Sequence, residues 1–333
     1  MGSLYITQQG AVLRKISRRL VVYKGEEKVT EIPVIKVDRV VLFGNIQVTA
    51  QAFSFLLDSG VDICYLSSNG RYRGRLAAAE SKNVLLRIAQ YERYLDDDFQ
   101  LQISKALVEA KIRSAIGLIE RYRRNYPELD FSQETASLGD ALKSVSDQVQ
   151  VPSLLGVEGH ATAVYFRAFG RMFRSEDMLF SKRTRRPPKD PVNALLSFGY
   201  TLVTNEILSF LFAVGFDPYI GYLHSLDYGR PSLALDVTEE FRHPVVDRFT
   251  LYLVNKHIIS YTDFDNRGNE GFFLTQDALK RYFQNYEKRI NEAFRDGGTG
   301  ENVSYRSLFR RQAYRLAKSI QTGTHYEPYI ETG

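Results

Sequence analysis

Cysteine is almost missing from this sequence: Cys64 stands alone among 333 residues. A lone thiol cannot close a disulfide within the chain, and such a chain fits a reducing cytoplasm. The N-terminus lacks the charged, apolar and small-residue regions of a signal peptide. Long apolar runs are missing too. The most apolar segment, Ala194 to Phe216, is interrupted by Asn205 and Glu206. It reads as a buried helix, not a membrane span, so no membrane partner is expected. There is no internal repeat and no low-complexity tract. Net charge is small, +5 with pI about 9.0. That balance points only mildly to an anionic partner, so any stronger sign must come from clustered charge.

What is present is ordinary for a soluble protein: 44% hydrophobic and 25% charged residues. A chain of this length can hold two domains and bury a sizeable core. Residues 1–76 read as a β-rich domain. Short strands are expected at Leu4–Ile6, Val12–Leu13, Leu20–Tyr23, Val29–Ile35, Val37–Phe43, Val61–Leu66 and Arg71–Leu76. Lys24–Glu27 and Ser67–Gly70 read as turns, and Thr49–Ser59 as a helix closed by Gly60. From Ala77 the pattern turns helical, and residues 77–333 read as a larger all-α domain. The fold class is therefore α+β.

The chemistry concentrates between Val151 and Arg248. In the helix VPSLLGVEGHATAVYFRAFGRMF, residues Leu154, Ala161, Val164, Tyr165, Ala168 and Phe169 fall on one apolar face. Arg167, Arg171 and Arg174 follow the other side, yet Glu158 falls within the apolar face. A buried carboxylate needs a positive partner or a metal, so Glu158 is either an ion-pair partner of another helix or a ligand. His224 follows a loop punctuated by Gly215, Pro218 and Gly221. A second helix runs from Ser232, a capping residue, to about Arg242 before Pro244, and is apolar nearly all round. Asp236 and Glu239 share one side of it, and Glu240 stands at i+4 from Asp236. Glutamate, histidine and a further acid make a mixed oxygen/nitrogen set suited to Mg²⁺ or Mn²⁺ with open water positions. A lone histidine can equally be a satisfied core residue.

Basic residues cluster in two places. Arg174 to Pro191 contains Lys182, Arg183, Arg185 and Arg186, and Pro187 and Pro188 deny it a helix. It reads as a solvated loop or as a phosphate contact. The following helix carries Asn193, Ser197, Tyr200 and Thr204 on one stripe, facing water or the site. Near the end, Arg306, Arg310, Arg311, Arg315 and Lys318 recur at helical spacing among Tyr305, Phe309 and Tyr314, as a solvated or phosphate-binding face. The segment TGTHYEPY reads as an unstructured tail or a partner-docking peptide.

The runs LLGVEGHATAVYF, RRPPKDPVNALLSFGYTLV and GYLHSLDYGRPSLALDVTEEFR, in this order, resemble the CRISPR-associated integrases, the endonucleases of the spacer-adaptation complex. LYITQQGAVL, VVLFGNIQVTAQAF and GVDICYLSSNGRYRGRL are similar to that family's first domain. The resemblance implies Glu158, His224 and Glu239 as catalytic ligands of Mg²⁺ or Mn²⁺, with Asp236, Asn193 and Tyr165 supporting them. Some relatives carry Asp at the last ligand position, and Glu239 is longer by one methylene. Arg167, Lys182, Arg183, Arg185 and Arg186 become candidate DNA contacts. The activity implied is insertion of short DNA fragments into a repeat array by 3′-hydroxyl attack on a phosphodiester, with cleavage of branched DNA as its reverse. Implied partners are double-stranded and branched DNA, a second copy docked through the β-rich domain, and a small second adaptation subunit. Two other readings stay open from the residues: a structure-specific repair-type nuclease with the same metal site, and a non-catalytic DNA-binding scaffold whose acids form structural ion pairs.

Overall fold

A computed structural model describes residues 2–67, 70, 72–76 and 83–331. Ser68, Asn69 and Arg71 of the expected turn and strand, and Ala77–Ala79 of the expected helix start, lie outside the described residues. Residues 1–80 and 273–287 form one compact unit; residues 81–272 and 288–333 form the other.

The first unit holds strands β1 (Gly2–Ile6), β2 (Val12–Ile16), β3 (Arg19–Lys24), β4 (Glu27–Pro33), β5 (Val37–Phe43), β6 (Gln47–Val48), helix α1 (Ala50–Asp58), and strands β7 (Asp62–Leu66) and β8 (Tyr72–Leu76). They make two four-stranded sheets, ordered β1-β5-β7-β8 and β4-β3-β2-β6. β1, β5 and β7 run parallel, while β2, β3 and β4 are antiparallel. Val40, Leu42 and Ile63 from one sheet meet Leu13, Leu20 and Val22 from the other, together with Leu56 of α1, in one core. Thr49 caps α1 by accepting from the Ala52 N–H. The sequence reading has a single boundary after Leu76; the structure adds a return, because residues 273–287 join this unit. Phe283 supplies the reason: its ring stacks on Tyr5 at 4.1 Å and packs on Phe43 at 5.1 Å.

The second unit is mainly helical: α2 (Val84–Tyr94), α3 (Asp97–Asn125), α4 (Ser132–Val145), α5 (Val151–Gly170), α6 (Pro191–Val214), α7 (Ser232–Thr238) and α8 (Arg248–Asn255), then the end of α9 (Gln276–Asn291) and α10 (Tyr305–Thr322). A two-stranded piece, Phe294–Arg295 with Asn302–Val303, interrupts the region expected to be all helix. α6 is long and apolar enough to cross a membrane, but 61% of its most apolar window is buried inside the protein. One of its two polar breaks is paired internally: Glu206 accepts from Arg306 at 2.9 and 3.0 Å.

Four expectations need correction. Pro244 does not end the second acidic helix. After α7 comes a 3₁₀ turn (Glu239–Phe241), then a π-helical stretch (Arg242–Asp247) that leads into α8. Pro244 falls in the first turn of that stretch, and the Arg248 N–H closes back to the His243 carbonyl. Ser232 does not cap α7 but donates to the Ser225 carbonyl at 2.8 Å, tying down the loop. The α10 arginines are not one solvated or phosphate-facing stripe: Arg306 pairs with Glu206, and Arg311 with Asp296 at 2.8 Å and Glu301 at 3.1 Å. The TGTHYEPY segment leaves α10 after Thr322 and is irregular but not loose. Tyr326 and Tyr329 are buried, and Glu331 accepts from Tyr305 at 2.7 Å and Arg248 at 3.0 Å.

Candidate active site

α5 buries Leu154, Ala161, Val164, Tyr165 and Phe169, as its apolar period requires. Glu158 thereby points inward, where Lys111 of α3 meets it in an ion pair and the Thr162 hydroxyl donates to it at 2.8 Å. Lys111 Nζ also lies 2.7 Å from Glu239 Oε2. One ammonium thus bridges two carboxylates that arrive from different helices.

His224 is positioned by Asp236. That carboxylate accepts from the backbone N–H groups of Tyr222 (2.6 Å), Leu223 (3.0 Å) and His224 (2.9 Å), and meets His224 Nδ1 at 2.7 Å. Four partners occupy Asp236, so it orients the imidazole instead of facing the site. The other ring nitrogen, Nε2, stands 3.7 Å from Glu239 Oε1. Gly221 makes this approach possible: a Cβ there would lie 2.8 Å from Asp236 Oδ2 and 2.7 Å from the Ser232 carbonyl carbon.

Glu239 accepts from Arg242, one turn on, at 2.8 Å. Burial pushes its carboxyl upward, but Arg242, Lys111 and His224 outweigh burial and hold it at about 2. Burial likewise pushes Glu158 up and the neighbouring charge of Glu239 adds to that, yet Lys111 keeps it below the usual carboxylate range. Both acids therefore stay ionised at neutral pH. Glu240 points the other way. It accepts from Tyr326, from Gln312 at 2.8 Å and from the Tyr329 N–H at 2.6 Å. It takes no part in the Glu158–Glu239 cluster.

Behind the cluster, Asp247 accepts from Tyr165 at 2.8 Å, from Tyr200, and from His243 Nδ1 at 2.7 Å. Tyr165 and His243 also line a small pocket that reaches Lys111, Glu158 and Thr162. The Tyr200 ring lies between two guanidinium groups, Arg242 at 4.8 Å and Arg183 at 5.4 Å. Asn193 is not at the carboxylates. It accepts from Arg183 at 2.7 Å and the Thr184 N–H at 2.8 Å, and donates to the Lys182 carbonyl at 2.9 Å. The basic segment is thus anchored at Arg183, while Lys182, Arg185, Arg186 and, on α5, Arg167 are exposed.

Two carboxylates and an imidazole oriented by a third carboxylate are a donor set that suits a hard divalent cation. Among the described residues, no three such donors converge on one point; Lys111 Nζ lies between the two glutamates instead. The set fits a metal in chemistry and charge, and admitting one requires Lys111 to move.

The family profile "CRISPR associated protein Cas1" matches residues 4–288. This chain belongs to the Cas1 family. A CRISPR-associated endonuclease Cas1 from Thermus thermophilus is 37% identical over 327 residues, covering 98% of this chain and 94% of the relative. A solved Cas1 protein from Thermotoga maritima superposes with a TM-score of 0.82 at 27% identity, covering 100% and 99% of the two chains. A chain of a Cas6-RT-Cas1–Cas2 complex matches with a TM-score of 0.83 at 25% identity, covering 99% of this chain and 36% of that one.

The sequence reading of this Cas1 chain missed Lys111, Thr162, Arg242 and the His243–Asp247 pair. Lys111 carried the signal that singled out Glu158: it interrupts the apolar stripe Leu107, Ala115, Leu118 of α3. Asp247 was hidden because Pro244 read as a helix stop; Arg242, at i+3 from Glu239 within the expected helix, was legible as its partner.

Proposed function

We propose that this Cas1 chain joins the 3′-hydroxyl ends of short DNA fragments to a repeat array and, by the same chemistry reversed, cleaves branched DNA. The observation that carries this is that Lys111 links Glu158 to Glu239 while His224 Nε2 stands 3.7 Å from Glu239, three segments contributing and both acids held ionised. Glu158, Glu239 and His224 would hold Mg²⁺ or Mn²⁺. Bound there, a divalent ion supplies a Lewis acid at the scissile phosphate and lowers the pKa of the attacking hydroxyl. Asp236 keeps the His224 ring fixed with Nε2 toward the site. Arg242 places fixed positive charge beside Glu239 and would help offset the charge of a bound phosphate. Arg167, Lys182, Arg185 and Arg186 are free to meet the DNA backbone, and Arg183 fixes where their segment leaves the fold.

The homodimer through the β-rich unit belongs to the same reading, since the outer strands of its sheets need cover. A chain starting at residue 77 that stayed dimeric at micromolar concentration would contradict it. A Cas2-type small subunit is the expected partner, supported by the similarity to the Cas1-containing complex. The reducing cytoplasm remains the expected location, since Cys64 stands alone and the chain can form no internal disulfide.

The deciding experiment is strand transfer of a labelled fragment into a supercoiled repeat plasmid, with and without the small subunit. Transfer is expected with Mg²⁺ and with Mn²⁺, and none in excess EDTA. Full activity in EDTA would remove the metal from the reading. Cleavage of branched DNA without any transfer, small subunit present, would favour a repair-type nuclease.

A further inference from the structure

Lys111 is the least expected member of the site. Its side chain is only 8% exposed. It arrives from α3, whose buried neighbours Leu107, Val108, Ile112 and Ala115 hold the helix in place. Its ammonium contacts Glu158 Oε1 and stands 2.7 Å from Glu239 Oε2. Among the described residues no other cation pairs with both acids: Arg242 pairs with Glu239 through the opposite oxygen, Oε1. Thr162 supports the arrangement by donating to the same Glu158 oxygen that Lys111 holds. Two carboxylates this close, Glu239 buried and Glu158 half-buried, repel each other unless a counter-charge lies between them.

A divalent cation bound by Glu158 and Glu239 needs oxygens at roughly 2.0–2.2 Å. One oxygen of each acid, Glu158 Oε1 and Glu239 Oε2, is already engaged by Lys111. An ammonium and a dication cannot share that point, for steric and for electrostatic reasons.

We propose that Lys111 is a built-in competitor of the catalytic metal: it holds the Glu158–Glu239 pair together until a divalent ion displaces it. This rests on the reading of Glu158 and Glu239 as ligands. Metal binding is then an exchange of one cation for another. Its affinity is set by how tightly Lys111 grips, as well as by the three donors. Lys111 is accordingly a positioning residue for the two acids, not a ligand.

The test is Mn²⁺ binding to the full chain without DNA, by calorimetry and by the rise in Tm on adding Mn²⁺. Lys111→Met keeps an unbranched apolar stem as far as the lysine Cε and removes the ammonium. It should melt below wild type in chelator, because the two acids are left facing each other. It should bind Mn²⁺ at least about tenfold more tightly, as expected for removing a like charge from a few ångströms away. Unchanged or weaker Mn²⁺ binding by Lys111→Met would overturn the proposal. If Lys111→Met fails to fold, Lys111→Arg keeps the counter-charge and grips both acids with a fork. It should bind Mn²⁺ more weakly than wild type, and equal or tighter binding would overturn the proposal. Glu158→Gln and Glu239→Gln separate the two ideas. If neither weakens Mn²⁺ binding, the ligand reading fails and the proposal falls with it. If both weaken it while the Lys111 variants bind like wild type, only the competitor role fails.

Discussion

Glu239 and Glu240 are adjacent on one turn and almost equally buried, at 2% and 0% exposure. Glu239 faces Arg242, Lys111 and His224, and its carboxyl is held at about 2. Glu240 faces two neutral side-chain donors, Tyr326 and Gln312, and one backbone N–H; burial wins and pushes it up to about 7, with Arg315 a minor opposing charge. Depth of burial is therefore not what decides the charge of an acid here. What decides it is whether cations or neutral donors meet the carboxyl. The first acid stays charged and available for ligand work. The second is poised to hold a proton and binds the C-terminal segment to the helical unit.

The sharpest way to break this comparison is to neutralise each acid without changing its shape. Glu239→Gln removes a ligand charge and should cut strand transfer by about a hundredfold or more, the scale of losing one preorganised electrostatic contact. Glu240→Gln should leave transfer per folded molecule within a few-fold of wild type. The measurement is single-turnover strand transfer on both proteins, with the folded fraction checked by circular dichroism. Equal losses would mean the two acids serve one site.

The next effect is on stability. Tyr326 fills its place fully and donates to Glu240. Tyr326→Ala should lower stability by about 3–5 kcal/mol, as for other buried aromatics cut to alanine. Mn²⁺ affinity of the folded protein should not change, because the tail side of Glu240 does not touch Glu158 or His224. Denaturant unfolding and Mn²⁺ calorimetry read the two quantities. A wild-type unfolding midpoint would show that the tail is not docked in solution.

How much of this was open to a reader of the sequence differs by residue. Glu158 stood out because a helix has a period, and a charge inside an apolar stripe breaks it. Lys111 breaks the stripe of α3 in the same way and was legible by the same rule. The strands from Leu4 to Leu66 were legible because alternation and turn residues agree locally. Tyr326 and Tyr329 were not legible: their segment is irregular, so it has no period, and their partners lie 86 and 89 residues away in sequence. The opposite behaviour of Glu239 and Glu240 was hidden for a related reason. It depends on Lys111 and Tyr326, which reach that turn from helices and loops far along the chain. Pro244 misled because a local rule, that proline ends a helix, yields where a π turn absorbs it.

The smallest expected effect is also the one that separates the two acids by sign. Glu239 and Glu158 have carboxyls lowered by folding. Their stabilisation is complete above the ordinary value of 4.5 and is lost as pH falls below it, toward about 2 for Glu239. Glu240 has a carboxyl raised by folding, from 4.5 to about 7. The folded protein then binds the proton more tightly than the unfolded chain. Its contribution is fully present below pH 4.5 and is lost as pH rises through about 7, by up to roughly 1.4 kcal/mol per pH unit within that window. Glu240→Gln removes this second window and leaves the first. Glutamine can keep the contacts: its carbonyl accepts from Gln312 and the Tyr329 N–H, and its amide donates to Tyr326, whose hydroxyl can accept as well as donate. Urea unfolding midpoints at pH 5, 6, 7 and 8 should therefore fall more steeply for wild type than for Glu240→Gln, and the two curves should run parallel below pH 4.5. Parallel curves between pH 5 and 7 would mean that Glu240 is ionised in the folded protein, and that its three donors outweigh burial as the cations around Glu239 do.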